Sequence, residues 1–229
     1  MSYEDKKDLV KRVSFMATFD GGLYIRNKNA AFIMNMRKEN IDYILWVKNT
    51  LENITSVNLY ERKDYNIDGY TRQPQVRLES KVHPFLTTIR NRVYVGNHKV
   101  IDPHMLKLMD EEALSIIFMA DGSASMKNSI RLHTKGYSYN DNMALSKTIY
   151  ERFGLRTNVN RHYDYFELRL KSADIGKFVD LVKPYICPSF RYKLEQVAPH
   201  KTVGGEIVWP SWKHEEVLRN NELASENDA

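Results

Sequence analysis

Apolar residues recur at helical spacing over residues 8–20, through Leu9, Val10, Val13, Phe15, Met16 and Phe19, and the run stops at Gly21-Gly22. A second helical run covers 110–121 and stops at Gly122. Asp110 is placed to cap it, and Glu111 and Glu112 favour its positive end. Both helices close on Asp-Gly, at Asp20-Gly21 and Asp121-Gly122. The same elements follow each one. Strands are predicted over 30–38 and 129–135, then helices over 41–51 and 140–153. Paired strands follow over 57–63 and 75–80, and over 157–162 and 165–172, with closing helices over 83–90 and 175–185. This is an α+β pattern, αββαββα written twice, with some first-half hairpin strands left unplaced. The halves join near 100–109. The expected units are residues 1–108 and 109–203, with 204–229 as a C-terminal tail.

Alternation gives the strands two unlike faces. Ser129, Arg131, His133 and Lys135 share one side, with Ile130, Leu132 and Thr134 opposite. Thr71, Gln73, Gln75, Arg77 and Glu79 share one side of the other half. Each half thus has an apolar sheet face for its helices and an open face rich in the residue types that read base edges.

Composition narrows the classes. An apolar share of 42% supports a sizeable core, and 11% aromatic residues argue against disorder. With 28% charged residues and no apolar run near the ~18 residues of a membrane helix, no membrane partner is expected. The start Met1-Ser-Tyr-Glu-Asp-Lys-Lys has no apolar signal region, so an intracellular location is expected, cytoplasmic or wherever the host DNA lies. The lone Cys187 excludes a disulfide framework or a cysteine-based zinc site. Net charge is +5, but from Glu206 onward two bases face six acids, so residues 1–205 carry +9. A basic body with interleaved Tyr, Asn, Gln and His suits nucleic acid.

Two helices ending in Asp-Gly, each opening the same α/β half, resemble the single-chain LAGLIDADG homing endonucleases. The motifs are Val13-Ser-Phe-Met-Ala-Thr-Phe-Asp-Gly21 and Leu114-Ser-Ile-Ile-Phe-Met-Ala-Asp-Gly122. The stretch Lys183-Pro-Tyr-Ile-Cys-Pro-Ser-Phe-Arg-Tyr-Lys-Leu194 is similar to the family's C-terminal segment with an active-site lysine. Phe15 and Ile116 depart from the pattern, standing where the family has glycine, while Ser14, Ala17, Ser115 and Ala120 stay small. The resemblance implies a saddle of two pseudo-symmetric halves with antiparallel DNA-binding sheets. It implies a monomer without a small-molecule cofactor that cuts both strands of a long, asymmetric DNA target. Asp20 and Asp121 would meet on the pseudo-twofold axis and hold Mg²⁺, with Mn²⁺ substituting. Lys193 is the catalytic cation expected in the second half. Lys99 takes the corresponding place in the first, 79 residues after Asp20 against 72 from Asp121 to Lys193.

Expected DNA contacts in the first arm are Arg26, Lys28, Asn35, Arg37, Arg62, Arg72, Gln73, Gln75 and Arg77. In the second they are Arg131, His133, Lys135, Asn158, Asn160, Arg161, Arg169 and Lys171. Three other readings compete. Asp68 with Glu79-Ser80-Lys81 has the spacing of a restriction-type metal site. Gly22-Leu-Tyr-Ile25 is similar to half of a GIY-type nuclease signature, without the second half. A LAGLIDADG maturase, or a protein that binds DNA or RNA without cutting, would use the same surface.

Overall fold

Ser2 starts the first helix: its hydroxyl accepts from Asp5 N–H, and Asp5 accepts from Ser2 N–H at 2.8 Å. In the computed structural model this cap begins α1 at Tyr3, five residues before the apolar period. The structure describes residues 2–62, 66–67, 70–71, 73–125, 129–197, 200–201 and 207–208. The order is α1 (Tyr3–Phe19), β1 (Gly22–Arg26), β2 (Asn29–Arg37), α2 (Ile41–Glu52), β3 (Val57–Arg62), β4 (Gln75–Ser80) and α3 (Pro84–Val93). Next come α4 (Pro103–Lys107), α5 (Glu111–Asp121), β5 (Gly122–Ser125), β6 (Ser129–Leu132), α6 (Tyr139–Phe153), β7 (Thr157–His162), β8 (Tyr165–Leu170), α7 (Ile175–Val182) and α8 (Tyr192–Glu195). Short two-residue pairs join Asn66–Ile67 to Tyr70–Thr71, Tyr94–Val95 to His98–Lys99 and His200–Lys201 to Ile207–Val208. The rest of 204–229 lies outside the described residues.

The expected α+β class holds, and αββαββα runs twice. The larger sheets are antiparallel, in the orders β1-β2-β4-β3 and β7-β8-β6-β5. β1 and β5, absent from the sequence pattern, begin directly on the glycines that stop α1 and α5; β1 does not alternate in burial, and β5 alternates over only four residues. These turns are close-packed. A Cβ on Gly21 would lie 2.2 Å from the Phe32 ring, and one on Gly122 would lie 2.4 Å from the Phe118 carbonyl oxygen.

Three boundaries differ from expectation. The strand predicted over 129–135 stops at Leu132, where buried Thr134 turns its hydroxyl to Asn142. The face drawn from Thr71 to Glu79 is continuous only from Gln75, because Pro74 has no N–H for a ladder. The helix expected over 175–185 ends at Val182, and Lys183–Tyr185 tightens into a 3₁₀ turn around Pro184.

α1 and α5 lie against one another at the centre. Ser14, Ala17 and Ser115 are buried there, and Phe15 and Ile116 are fully buried in the core. Above the opposite helix ends sits a charge clamp. Lys11, only 6% exposed, contacts Asp110 at 2.5 Å and Glu112 at 3.2 Å, while Arg12 Nε reaches both Glu112 oxygens at 3.0 Å. The basic partners come from α1 and the acidic ones from the start of α5. Removing one acid leaves a buried ammonium under-compensated. Glu112→Ala is therefore expected to lower unfolding stability by about 1–3 kcal/mol, read as a lower urea midpoint with an unchanged slope.

Candidate active site

Asp20 is the C-terminal cap of α1, its N–H bonded to Met16 O at 3.0 Å, and Asp121 is the last residue of α5. Packing the two helices side by side brings the acids into one half-buried site. Burial raises the pKa of Asp20, and its Oδ2 has no hydrogen-bond partner. Burial, reinforced by the charge of Asp20, raises Asp121 to about 6. Each carboxylate thus makes the other harder to ionise, at helix ends whose dipoles already carry negative charge.

Lys99 and Lys193 enter the same site. Lys99, on the short strand after Gly96, donates to Thr18 O at 2.9 Å and Gly21 O at 2.6 Å. Lys193, from α8, donates to Phe118 O at 3.2 Å and Met119 O at 2.7 Å. Lys193 therefore caps the last carbonyls of α5, and Lys99 holds a carbonyl of the last turn of α1 and that of Gly21 just beyond it. Each spends two of three N–H groups there, leaving one. Burial lowers both, Lys193 to about 8. Their electrostatic partnership is crossed: Lys99 acts most on Asp121, and Lys193 most on Asp20. Sequence spacing had paired each lysine with the acid of its own half.

The tyrosines are what sequence reasoning missed. Tyr43 of α2 is fully buried, stacked on Trp46 and edge-on to Phe190. Its hydroxyl lies beside Asp20 and is pushed well above its ordinary pKa by burial and then by that carboxylate. Tyr137, in the turn before α6, donates to Thr18 O at 2.5 Å, crossing from one half to the other. Neither residue sits in a motif; Tyr43 in an apolar helix face reads as core, and Tyr137 as part of a turn.

The donor set fits a divalent cation in one respect. Asp20 and Asp121 lie together without a direct ion pair to either lysine, each of which turns two N–H groups to main-chain carbonyls, and so stay open to a divalent cation. Among the described residues no group of three His, Cys, Asp or Glu side chains could hold a metal, so within them the site offers these two carboxylates.

The open sheet faces collect most of the expected contact residues. In the first sheet the register places Arg26, Asn35, Arg37, Gln75 and Arg77 on one side, with Tyr24, Asn58 and Tyr60 joining them. Lys28 is exposed in the β1–β2 turn, and Gln73 is exposed before Pro74. Arg62 shares that register position, nothing being described of its side chain, and Arg72 and Asp68 lie outside the described residues. In the second sheet Arg131, Asn158, Asn160 and Arg169 share the open face, and Lys171 is exposed just beyond it. His133 and Lys135 lie past the end of β6 but stay on this side, His133 against Ser123 and Glu167, Lys135 over the Tyr165 ring. Arg161 falls on the opposite parity, level with Phe166, and bonds Tyr163 O. Glu79, half of the alternative restriction-type pattern, is gripped by Arg26 and Arg77 on the same face.

A family model described as the LAGLIDADG DNA endonuclease family matches residues 20–178. A probable intron-encoded DNA endonuclease 3 of Mycosarcoma maydis is 33% identical over 91 residues, 39% of this chain and 67% of that protein. A probable intron-encoded endonuclease 1 of Wickerhamomyces canadensis is 27% identical over 186 residues, 76% of this chain and 79% of that protein. Among solved structures, the homing endonuclease I-WcaI bound to its DNA recognition sequence superposes with a TM-score of 0.71 at 23% identity, over 82% of this chain and 86% of that one. No described helix is long and apolar enough to cross a membrane.

The raised acids make a pH prediction. A carboxylate whose folded pKa of about 6 exceeds its unfolded value of 3.8 favours the folded state when protonated. That contribution is complete below about pH 4 and disappears as pH rises through about 6. Asp121→Asn is therefore expected to stabilise the metal-free protein at neutral pH by up to about 2–3 kcal/mol, with no gain near pH 4. Thermal melting of both proteins across that range, in a chelator, checks it.

Proposed function

The chain belongs to the LAGLIDADG DNA endonuclease family, and from that premise we propose that it is a monomeric, site-specific endonuclease that hydrolyses both strands of a long, asymmetric DNA target with Mg²⁺. Mn²⁺ would substitute. The observation that carries this reading is the meeting of Asp20 and Asp121 at adjoining helix ends in one half-buried site, with neither acid paired directly to a lysine.

When bound, Mg²⁺ would be held by Asp20 and Asp121 together with DNA phosphate oxygens, and would supply charge to the phosphorane-like transition state. The rest is the chain's own work. α1 and α5 fix the two carboxylates so that no reorganisation is needed when phosphate arrives. Lys99 and Lys193 present one remaining N–H each towards the acids, where it can orient water or stabilise growing charge. A lysine held at about 8 by burial exchanges a proton readily near neutral pH, which suits Lys193 to move one during hydrolysis. The open faces follow the duplex on either side. A run of eight strand residues spans about 26 Å, close to the length of eight base pairs at about 3.4 Å each.

Asp20→Asn and Asp121→Asn are each expected to cut double-strand cleavage by at least about a hundredfold while specific binding stays within a few-fold. Lys193→Met should slow cleavage more than it weakens binding, since charge that grows in the transition state shows in rate. Nicked plasmid should accumulate with the lysine variant. Cleavage at the wild-type rate by either acid variant, scored on a target-bearing plasmid, would move the active site away from these acids, whereas no cleavage by the wild type would return the chain to a binding-only role such as that of a maturase.

Binding itself should be salt-sensitive. If about ten phosphates are contacted, log K against log [salt] should fall with a slope of roughly −9. A slope near zero, measured by titrating duplex at several salt concentrations, would remove duplex DNA as the partner.

A further inference from the structure

The open face of the second sheet holds a chain of side chains that the cleavage chemistry does not use. Ser123 follows Asp121 by two residues and stands on β5 opposite Arg131. Its Oγ lies 2.7 Å from His133 Nε2. His133 Nδ1 lies 3.3 Å from Glu167 Oε2, and the other Glu167 oxygen lies 3.5 Å from Arg131 Nη1. Glu167 is only 6% exposed, so it is a fixed anchor, whereas Ser123 and His133 are half-buried and reach the surface.

The proton positions in this chain follow from chemistry. An ionised carboxylate only accepts, so His133 Nδ1 must carry the hydrogen that points at Glu167. In the neutral ring Nε2 is then bare and accepts the hydrogen bond that the Ser123 hydroxyl donates. Ser123 Oγ is left with lone pairs alone to offer outward. The first sheet has no such chain. Counting from each Asp-Gly, Gly22 stands where Ser123 does. Met34 and Leu59 flank Leu78 as Leu132 and Val159 flank Leu168, which puts Asn35 and Arg77 in the places of His133 and Glu167.

We infer that Ser123 is a specificity-determining residue, locked as a hydrogen-bond acceptor by His133 and Glu167, that selects an amino-bearing base near the centre of the target. In the major groove adenine and cytosine present an amino donor, while guanine and thymine present acceptors at the corresponding place. A hydroxyl free to rotate serves either kind, whereas a hydroxyl that has given up its proton faces guanine O6 or thymine O4 with acceptor against acceptor. Its place two residues beyond Asp121 puts the selected base pair close to the cut. His133 and Glu167 act through Ser123 and are positioning residues. The inference rests on the open faces being the DNA surface, as proposed above.

The test is selection of bound duplexes from a randomised library in EDTA, which keeps them intact, followed by sequencing. Wild type, Ser123→Ala and His133→Phe are compared, with melting curves for each. Wild type is expected to show one near-central position where A and C on one strand exceed G and T by about five- to tenfold. Ser123→Ala should level all four bases there and leave the other positions unchanged. His133→Phe, which frees the hydroxyl to donate, should bring the four bases within about twofold at that position only. Should the phenylalanine variant not fold, Ser123→Ala alone decides the matter. An unchanged profile in Ser123→Ala overturns the inference, as does a uniform loss of affinity for every sequence, the mark of a phosphate contact. Either result leaves the endonuclease reading standing. Absence of any sequence preference in the wild type removes both.

Discussion

Two carboxylates set side by side, half-buried, at the ends of two helices are the constraint around which the molecule is arranged. Desolvation and then the charge of Asp20 raise Asp121 to about 6, against the opposing pull of Lys99 and Lys193. Nothing in the fold favours such a pair for stability. It persists because the α1–α5 contact is secured elsewhere, by small buried residues along its length and by the clamp of Lys11 and Arg12 on Asp110 and Glu112 at the far ends. That clamp also crosses the seam between the halves: Lys11 and Arg12 of α1 meet Asp110 and Glu112 at the start of α5, with Asp8 of α1 as a further partner of Lys11 at 3.2 Å.

The lysines resolve part of the tension and leave part in place. Two N–H groups of each are committed to helix carbonyls, which fixes the ammonium groups without forming an ion pair to either acid. A direct pair would satisfy the acids and remove their appetite for an external cation. Crossing the partnerships, Lys99 towards Asp121 and Lys193 towards Asp20, binds the two halves into a single electrostatic unit. The unit is not symmetric. Asp20 has the Tyr43 hydroxyl beside it, whereas Tyr137 bonds a carbonyl of α1. A duplicated fold thus carries two acids in different surroundings.

Much of this was legible in the order of elements. The duplicated helices ending in Asp-Gly, the strands at 57–62, 75–80 and 157–162, and the α+β class all follow from period and punctuation, which are local properties. What stayed hidden was set by tertiary contact. β1 and β5 run straight out of a helix into the sheet's edge, and β5, with Gly122, Ser123, Ala124 and Ser125, is too short and too small-residued for its alternation to read as a strand. The end of β6 depends on Thr134 finding Asn142 inside the fold. Arg161 was assigned by type rather than register, and the pairing with Phe166 turns it away from the open face. Asp20, Asp121 and Lys193 were legible as residues because they stand in motifs, and Lys99 because it takes the corresponding place in the other half. Their crossed pairing, Tyr43 and Tyr137 were not, since each depends on which element happens to pass the helix ends.

The open faces show how a basic surface can be made selective. A sheet of unpaired arginines would bind any phosphate backbone, and its affinity would be electrostatic and indifferent to sequence. Here each sheet carries a central glutamate. Glu79 holds Arg26 and Arg77, and Glu167 holds Arg131 and His133. The acids subtract charge from the face and so weaken non-specific attraction. They also fix the direction of the donors around them, and a fixed donor or acceptor discriminates between base edges where a mobile one adapts to all of them. Two glutamates at the centre of basic sheets would be a defect in a protein selected for affinity alone. In one that must choose a single site among many they have a physical use, because specificity is a difference between affinities and rises when the wrong partners are bound less well.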